Sequence, residues 1–272
     1  MIVVKDDPLA AYKFNLSPGV LDMFHKCGFY VLPDHLHEVL GFTLFYTVVY
    51  LLSSAISPLF ISEYKRLSKR NKINFDIHVV SQFNCIFVLI ASVPLFFDGE
   101  LNHLESYTPY CGFILASLVG YFVWDAIICL RYMPLFGPAF SVHALAALFV
   151  FIQGLRPFVN NVAAAFIWFE ASTPFVNIHW FATHVPQLIS EKLFTINGLA
   201  LIGVFFLCRI VSGPYNGYFL FDDLVHNYPK SVPLWVAWGV FIAYCALMVL
   251  NFIWFSKMIR TALKATKKQK IQ

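Results

Sequence analysis

The sequence is poor in charged residues. Asp, Glu, Lys and Arg make up 12% of its 272 residues, whereas a soluble domain usually contains about 25%. Hydrophobic residues account for 59%, Phe alone occurs 30 times, and the mean hydropathy is +0.69. The net charge of +4 is small and argues against a nucleic-acid partner, which needs a strongly basic surface. This composition predicts a chain whose solvent is lipid.

The sequence also lacks the motifs of a metal centre or a cofactor site. Its six cysteines form no Cys-x-x-Cys pair, and most lie inside apolar runs, where Cys behaves as a small hydrophobic residue. They occupy positions 27, 85, 111, 129, 208 and 245. The first 36 residues contain no continuous apolar stretch, so no cleaved signal peptide is expected. We therefore expect neither a metal nor a cofactor.

Long apolar runs fill most of the chain and predict an all-α, polytopic membrane bundle of about seven helices. A membrane helix needs about 20 largely apolar residues. Four windows contain no charged residue or His, namely 39–62, 79–97, 106–124 and 231–256. Three more apolar windows each carry one ionisable residue within the span, and these are 138–155 with His143, 157–175 with Glu170, and 196–214 with Arg209.

The distribution of basic residues predicts the orientation. With a cytoplasmic C-terminus, thirteen of the 19 Lys and Arg lie on the cytoplasmic side, five lie outside and Arg209 lies in a span. Because Lys and Arg collect on the cytoplasmic side of membrane helices, this arrangement is favoured. We predict an N-terminal external segment at 1–34, a membrane bundle at 35–260 and a basic cytoplasmic tail at 261–272.

The C-terminal tail carries a possible targeting signal. Lys268 and Lys270 are the fifth and third residues from the end. This spacing matches the dilysine signal for retrieval to the endoplasmic reticulum, which is recognised from the cytoplasm. The alternative is an ordinary basic tail attracted to anionic lipids.

Polar side chains inside the predicted spans are candidate functional residues, because an ionisable group in a membrane helix is costly. Asn84, Asp125, His143 and Glu170 come from four consecutive helices. At a rise of 1.5 Å per residue, each lies roughly 8 to 10 Å from the cytoplasmic end of its helix. Arg209 lies roughly 20 Å along the sixth helix and is expected to be a separate structural contact or an ion-pair partner.

Local spacing gives two of these residues a possible role. His143 has four alanines nearby, at 139, 144, 146 and 147. They leave space for an acyl chain or head group, with His143 as general acid or base, or they permit close helix packing across which His143 forms a hydrogen bond. Glu170, Thr173 and Asn177 share a helix face next to a kink at Pro174. Glu170 either borders a site or pairs with Arg or His.

Two motifs resemble the TLC domain of ceramide synthases and of a translocon-associated membrane protein. The first is Gly-Tyr-Phe-Val-Trp-Asp at 120–125, followed by Leu-Arg-Tyr at 130–132; the second is Glu-Ala-Ser-Thr-Pro-Phe-Val-Asn-Ile-His-Trp at 170–180. The resemblance covers residues 35–260 and is strongest to small single-domain members, including fungal ones. It implies a lipid-accessible cavity, residence in the endoplasmic reticulum, and a role in ceramide synthesis or lipid homeostasis. We take as lipid-binding candidates Asn84, Trp124, Asp125, His143, Glu170 and Asn177.

The same comparison separates this chain from the enzymatic branch. Ceramide synthases carry adjacent histidines where this sequence has His143 followed by Ala144. The leading hypothesis is therefore a lipid-binding protein of lipid homeostasis whose partners are sphingolipids or acyl lipids. One alternative is an acyl-CoA-dependent N-acyltransferase in which His143 is the base and Asp125 or Glu170 orients it. The other is a cargo adaptor or lipid mover of the early secretory pathway.

The orientation predicts the fate of a glycosylation tag. A tag placed at the C-terminus is expected to stay unmodified in intact microsomes, because the basic tail faces the cytoplasm. The measurement is the mobility of the tagged protein before and after deglycosylation. Glycosylation of this tag would invert the orientation, and the retrieval signal would then be unreadable.

Overall fold

The computed structural model describes the main chain of residues 4–269 and the side chains of residues 4–264. The described residues form helices and turns without a strand, which confirms the all-α prediction. The proposed retrieval lysines, Lys268 and Lys270, lie outside the residues whose side chains are described.

The first part of the chain packs over one end of the bundle. Helix α1 (Pro18–Lys26) precedes the long α2 (Leu32–Phe60). Between them Gly28 has φ +81°, and a Cβ there would clash with the Arg156 guanidinium. Arg156 donates from Nη2 to the Cys27 carbonyl at 2.7 Å. This contact attaches the N-terminal segment to the loop after the fourth apolar window.

The second apolar window forms a longer helix than predicted, whereas the third helix ends at Arg131 as predicted. The short α3 (Ser62–Arg66) leads into α4 (Lys69–Ala91) and then α5 (Pro109–Arg131). The charge-free window placed the start of α4 near residue 79, but this helix begins ten residues earlier and continues through the buried Asp76. In α5 the buried Asp125 lies six residues before the end of the helix, a rise of about 9 Å, as predicted from its depth. Asp76 is tolerated because Ser53 and Tyr64 donate hydrogen bonds to its carboxylate at 2.6 and 2.9 Å.

The next two apolar windows form short or interrupted helices. Helix α6 (Met133–Phe136) precedes α7 (Pro138–Gln153), after which come α8 (Ala163–Ile167), a 3₁₀ turn (Trp168–Ser172) and α9 (Thr173–His184). Pro174 lies in the first turn of α9, where its missing N–H is tolerated, and it cannot donate to the carbonyl four residues earlier. The helical path breaks just before this proline.

The last part of the chain contains a π-helical segment. Helix α10 (Glu191–Phe205) continues through the π segment (Phe206–Val211) into α11 (Ser212–His226), and α12 (Leu234–Gln269) follows. A π segment carries an extra residue per turn, and such segments are frequent at functional sites. Here it places Arg209 on the inner side of the bundle, where it is 7% exposed.

Six helices form a ring in the order α4, α5, α7, α12, α10, α9 and back to α4, and α2 packs across α4 and α5. Helix α5 is the most enclosed, with 78% of its most apolar stretch buried. Large apolar side chains cover the outer surface; Leu59, Phe60 and Leu199 are each more than 70% exposed. Such a surface suits lipid rather than water.

The structure contains five helices that are long and apolar enough to cross a membrane, within the residues it describes. They are Leu32–Phe60, Lys69–Phe97, Pro109–Arg131, Glu191–His226 and Leu234–Lys264. Pro138–Gln153 is apolar but shorter, and the run from α8 to α9 is interrupted. The chain therefore fits a multi-pass membrane protein, while the count of about seven spans stays a prediction.

The contact between α2 and α5 predicts opposite effects for two glycine substitutions. A Cβ on Gly120 would lie 2.7 Å from the Phe42 Cβ and 2.8 Å from the Val39 carbonyl oxygen. Because that oxygen belongs to the main chain of α2, Gly120→Ala is expected to destabilise the protein by about 1–3 kcal/mol. Gly203 on α10 has no atom within 4 Å of such a Cβ, so Gly203→Ala should stabilise by about 0.5–1 kcal/mol.

The measurement is the melting temperature of each purified variant in the same detergent. Equal effects of the two substitutions would show that helix propensity, and not the close approach of α2 and α5, determines stability at Gly120.

Candidate functional site

A cavity of about 480 Å³ lies inside the ring of six helices. Binding pockets for small molecules measure about 300–1,000 Å³, so this space suffices for part of a lipid. All six helices contribute to its wall. The lining side chains include Ser81, Tyr121, Phe122, Asp125, Phe140, His143, Glu170, Asn177, Trp180, Arg209 and Trp254.

Asp125 and His143 face this cavity with few partners. Asp125 is 8% exposed, and its Oδ1 accepts a weak bond from the Cys129 thiol at 3.5 Å. His143 packs edge-on against Phe122 and Trp254, with ring centroids 6.3 and 5.4 Å away. Its Nδ1 is buried and has no hydrogen-bond partner. A buried polar atom without a partner costs about 1–3 kcal/mol, so this site favours a ligand that supplies polar groups.

Arg209 joins three parts of the bundle. Its Nε donates to the Phe169 carbonyl at 3.1 Å and to Ser172 Oγ at 2.9 Å, both in the 3₁₀ turn. Its Nη1 donates to Asn251 Oδ1 of α12 at 3.1 Å. Its Nη2 lies 4.0 Å from Glu170 Oε1, which faces the cavity. A buried guanidinium requires such a set of acceptors.

Asn177 ties α9 to α4 on the opposite wall. Its Nδ2 donates to Ser81 Oγ at 3.2 Å and to Gln82 Oε1 at 3.0 Å. His78 Nδ1 lies 2.8 Å from Asn177 Oδ1, a distance that fits donation from the imidazole to the amide oxygen. The His78 ring also stacks on Trp180 at 4.8 Å. Hydrogen bonds therefore join α9 to α4 along this polar wall.

Two exposed cations mark the end of the cavity that the predicted orientation places at the cytoplasm. Arg70 lies in the first turn of α4 and Lys257 in the second half of α12; both line the cavity and are solvent-exposed. The Arg70 guanidinium lies 5.8 Å from the Phe136 ring. The cavity thus has a cationic mouth, an aromatic wall and an inner group of polar side chains.

The structure brings together most of the residues singled out in the sequence. Asp125, His143, Glu170 and Asn177 line the cavity, and Thr173 does so beside them. Asn84 and Trp124 lie elsewhere in the bundle. Asn84 accepts from the Tyr46 hydroxyl at 3.0 Å, and Trp124 packs between Tyr50 and Tyr121 with 2% exposure. Shared depth along a helix does not fix which way a side chain points.

Arg209 forms the expected structural contacts and lies 4.0 Å from Glu170, the distance of an ion pair. It is not separate from the other residues, because it lines the same cavity as His143 and Glu170. Sequence analysis also missed His78, Arg70 and Lys257. His78 shares a helix face with Ser81 and Gln82 by its spacing of three and four residues, and this signal was available.

A family model described as the TLC domain matches residues 74–260. The chain belongs to the TLC domain family. The resemblance seen in the two motifs is thereby confirmed, and the match begins in α4, after the predicted start at residue 35. The prediction that the domain includes α2 stays untested by this model.

Several curated proteins are similar to this chain over most of its length and of their own. An uncharacterized TLC domain-containing protein of Schizosaccharomyces pombe is 35% identical, covering 86% of this chain and 81% of its own. Topoisomerase I damage affected protein 4 of Saccharomyces cerevisiae is 30% identical, and the match covers 92% of this chain and 94% of that protein. The human TLC domain-containing protein 4 is 28% identical, and the match covers 81% of this chain and 84% of that protein. No solved structure matches the chain.

The Arg209 contacts predict a large loss of stability on substitution. Arg209→Ala removes the donor from Ser172, Asn251 and the Phe169 carbonyl, and breaking such a buried set costs about 3–5 kcal/mol. The expected result is a marked loss of protein abundance and of melting temperature. Lys192→Ala removes an exposed cation of α10 and should change stability by about 0.5 kcal/mol or less.

Arg209→Lys tests whether the positive charge alone, without the geometry of the guanidinium, stabilises the protein at this position. Lysine keeps the positive charge but cannot donate to acceptors in several directions through a planar fork, so it is expected to recover only part of the stability. A lysine variant as stable as the parent would show that the charge alone holds this contact.

Proposed function

We propose that this chain binds one membrane lipid in the cavity of its TLC domain and acts in lipid homeostasis without ceramide synthase activity. The observation that carries this proposal is the cavity itself, which joins an aromatic wall to the unpartnered His143 Nδ1 and the weakly bonded Asp125 inside the membrane bundle. The proposed ligand is a sphingoid base, a ceramide-like amide or another acyl lipid.

The aromatic part of the wall suits an acyl chain. Phe122, Phe140 and Trp254 surround His143, and Phe140 stacks on Trp254 with ring centroids 6.0 Å apart. Burial of a methylene group in such a wall contributes about 0.8 kcal/mol relative to water. A membrane lipid already has its acyl chain in an apolar medium, so burial of that acyl chain in the cavity adds little affinity. The aromatic wall therefore selects lipids by the shape and length of the acyl chain.

The polar part of the cavity favours a ligand with donors and acceptors. Asp125 accepts a single weak bond from Cys129, and His143 Nδ1 accepts none. A hydroxyl, amine or amide of a lipid head group would satisfy both. Specificity is then greatest against lipids that lack these groups, because such a ligand leaves the buried atoms unpaired.

The contacts of His143 support a non-catalytic role. A general base is usually oriented by a second group through a hydrogen bond. In the described part of the chain no hydrogen bond joins His143 to Asp125 or Glu170; Asp125 is bonded to Cys129 and Glu170 lies beside Arg209. The absence of a second adjacent histidine in the sequence favours the same interpretation.

Acyl transfer is the second candidate, and the cationic mouth is the observation in its favour. Arg70 and Lys257 are placed to bind the phosphates of an acyl-CoA at the entrance. The amine of a sphingoid base would attack the thioester carbonyl, His143 would take the amine proton, and the CoA thiol would leave. This reaction requires imidazole and carbonyl to meet inside the same cavity.

The proposed location is the endoplasmic reticulum membrane, with the N-terminal segment external and the C-terminus cytoplasmic. The basic residues gathered on one side of the predicted helices and the lysines of the tail support this location and orientation. The mouth bearing Arg70 and Lys257 would then open to the cytoplasm.

A filled cavity is expected to exclude the lipid. Val176 lines the cavity, whereas Val142 is 47% exposed on the outer face of α7 next to His143. Val176→Trp should remove most of the lipid that copurifies in mild detergent, and Val142→Trp should retain it, each at similar protein abundance. Lipid mass spectrometry of the purified proteins measures the ratio of lipid to protein.

Equal lipid content in the two tryptophan variants would contradict binding in the cavity. Incubation of the parent protein with acyl-CoA and a sphingoid base tests the second candidate in the same preparation. We expect no N-acyl product; formation of one that His143→Ala abolishes would establish acyl transfer and refute the non-catalytic role.

A further inference from the structure

A separate group of ionisable side chains lies where the N-terminal segment meets the start of α2. It consists of Asp7, His37 and Glu38, whose side chains are 3%, 6% and 0% exposed. One ligand atom from each residue lies within 4.8 Å of the other two. The neighbouring His35 packs against Gly112 of α5. Gly112 precedes Asp125 by roughly 20 Å of helix, so this group is distinct from the lipid cavity.

Each of the three side chains is held by one atom and has a second atom free. Asp7 Oδ1 accepts from the Leu9 N–H at 2.7 Å. Glu38 Oε2 lies 2.6 Å from His35 Nδ1, and His37 Nε2 lies 2.9 Å from the Leu9 carbonyl oxygen. Asp7 Oδ2, Glu38 Oε1 and His37 Nδ1 are buried and have no hydrogen-bond partner.

The hydrogen bonds around this group are compatible with a free lone pair on each of the three side chains. The Tyr107 hydroxyl lies 2.8 Å from His35 Nε2 and can donate to it. In that tautomer His35 Nδ1 carries a hydrogen and donates it to Glu38 Oε2 at 2.6 Å. His37 likewise donates from Nε2 to a carbonyl, the arrangement that orients metal-binding histidines in proteins.

The contact between the N-terminal segment and α2 brings two buried carboxyl groups, those of Asp7 and Glu38, close together. Two buried carboxyl groups this close together cannot both remain charged without a proton or a positive ion between them. Arg and Lys are absent from the hydrogen bonds and ion pairs that the structure gives Asp7 and Glu38. A single shared proton would leave the imidazole nitrogen of His37 unused, whereas a metal ion uses all three side chains.

We propose that Asp7, His37 and Glu38 bind one divalent transition-metal ion of the Zn²⁺ or Mn²⁺ class. One imidazole and two carboxylates form a ligand set suited to these ions, and an open coordination position would hold water. Because Asp7 belongs to the N-terminal segment and the other two to the first turns of α2, the ion pins this segment onto the bundle.

The test is metal content of the full-length protein in detergent. The apo protein is prepared with a chelator, incubated with ZnCl₂, MnCl₂ or CaCl₂, and desalted before elemental mass spectrometry. The expected result is close to one Zn²⁺ or Mn²⁺ per chain, little Ca²⁺, and a higher melting temperature in the metal-bound form.

Variants of similar size at the proposed ligands test whether the metal ion binds at this group. Asp7→Asn and Glu38→Gln should each weaken Zn²⁺ binding by more than about tenfold, a loss that even outer-shell changes reach, and should abolish the melting shift. Asp22→Asn makes the same change at an exposed carboxylate of α1 and should bind normally. If Glu38→Gln does not fold, Asp7→Asn alone decides, since Asp7 lies outside the membrane helices.

Two results would overturn the proposal. A folded parent protein that stays free of metal and shows no melting shift would mean that a shared proton neutralises Asp7 and Glu38. Equal metal content in the parent and in the Asp7→Asn, Glu38→Gln double variant would mean that the ion binds elsewhere.

Discussion

A guanidinium buried in a membrane bundle must be surrounded by acceptors, and the inner structure of this protein depends on how Arg209 meets this requirement. The acceptors come from irregular backbone and from α12: the Phe169 carbonyl, Ser172 and Asn251. The 3₁₀ turn exposes a carbonyl, and the π segment brings the arginine to it. Both departures from α-helical geometry are tolerated in a membrane because they face the protein interior.

The cavity is a consequence of this arrangement. The turn at 168–172 points Glu170 inward beside Arg209, while α9 continues at a new angle and is fixed to α4 through Asn177. The wall is thus held by polar contacts on two sides, and the space between them is left for a ligand. Asp125 and His143 gain no comparable partners from the protein, which explains why the proposed lipid needs a polar head group.

Sequence patterns predicted the helical class, the family and most of the cavity residues, because hydropathy and motif spacing act locally. Depth along the helices correctly predicted that Asp125, His143 and Glu170 lie close together, but it wrongly placed Asn84 with them. Depth carries no information about the direction in which a side chain points around the helix axis. The charge-free window made α4 too short, because it excludes Asp76, and the burial of that carboxylate is a tertiary property. The group formed with Asp7 escaped notice because thirty residues separate it from His37.

Photo-crosslinking with a diazirine-bearing sphingoid lipid tests the lipid-filled cavity most directly. After illumination of the protein in native-like membranes, peptide mapping identifies the labelled side chains. The account predicts labels on inward-facing residues such as Phe122, Val176 and Trp254, and competition by an unlabelled lipid with the same head group. Labels confined to outward-facing residues such as Leu59 and Leu199, unaffected by the competitor, would contradict it.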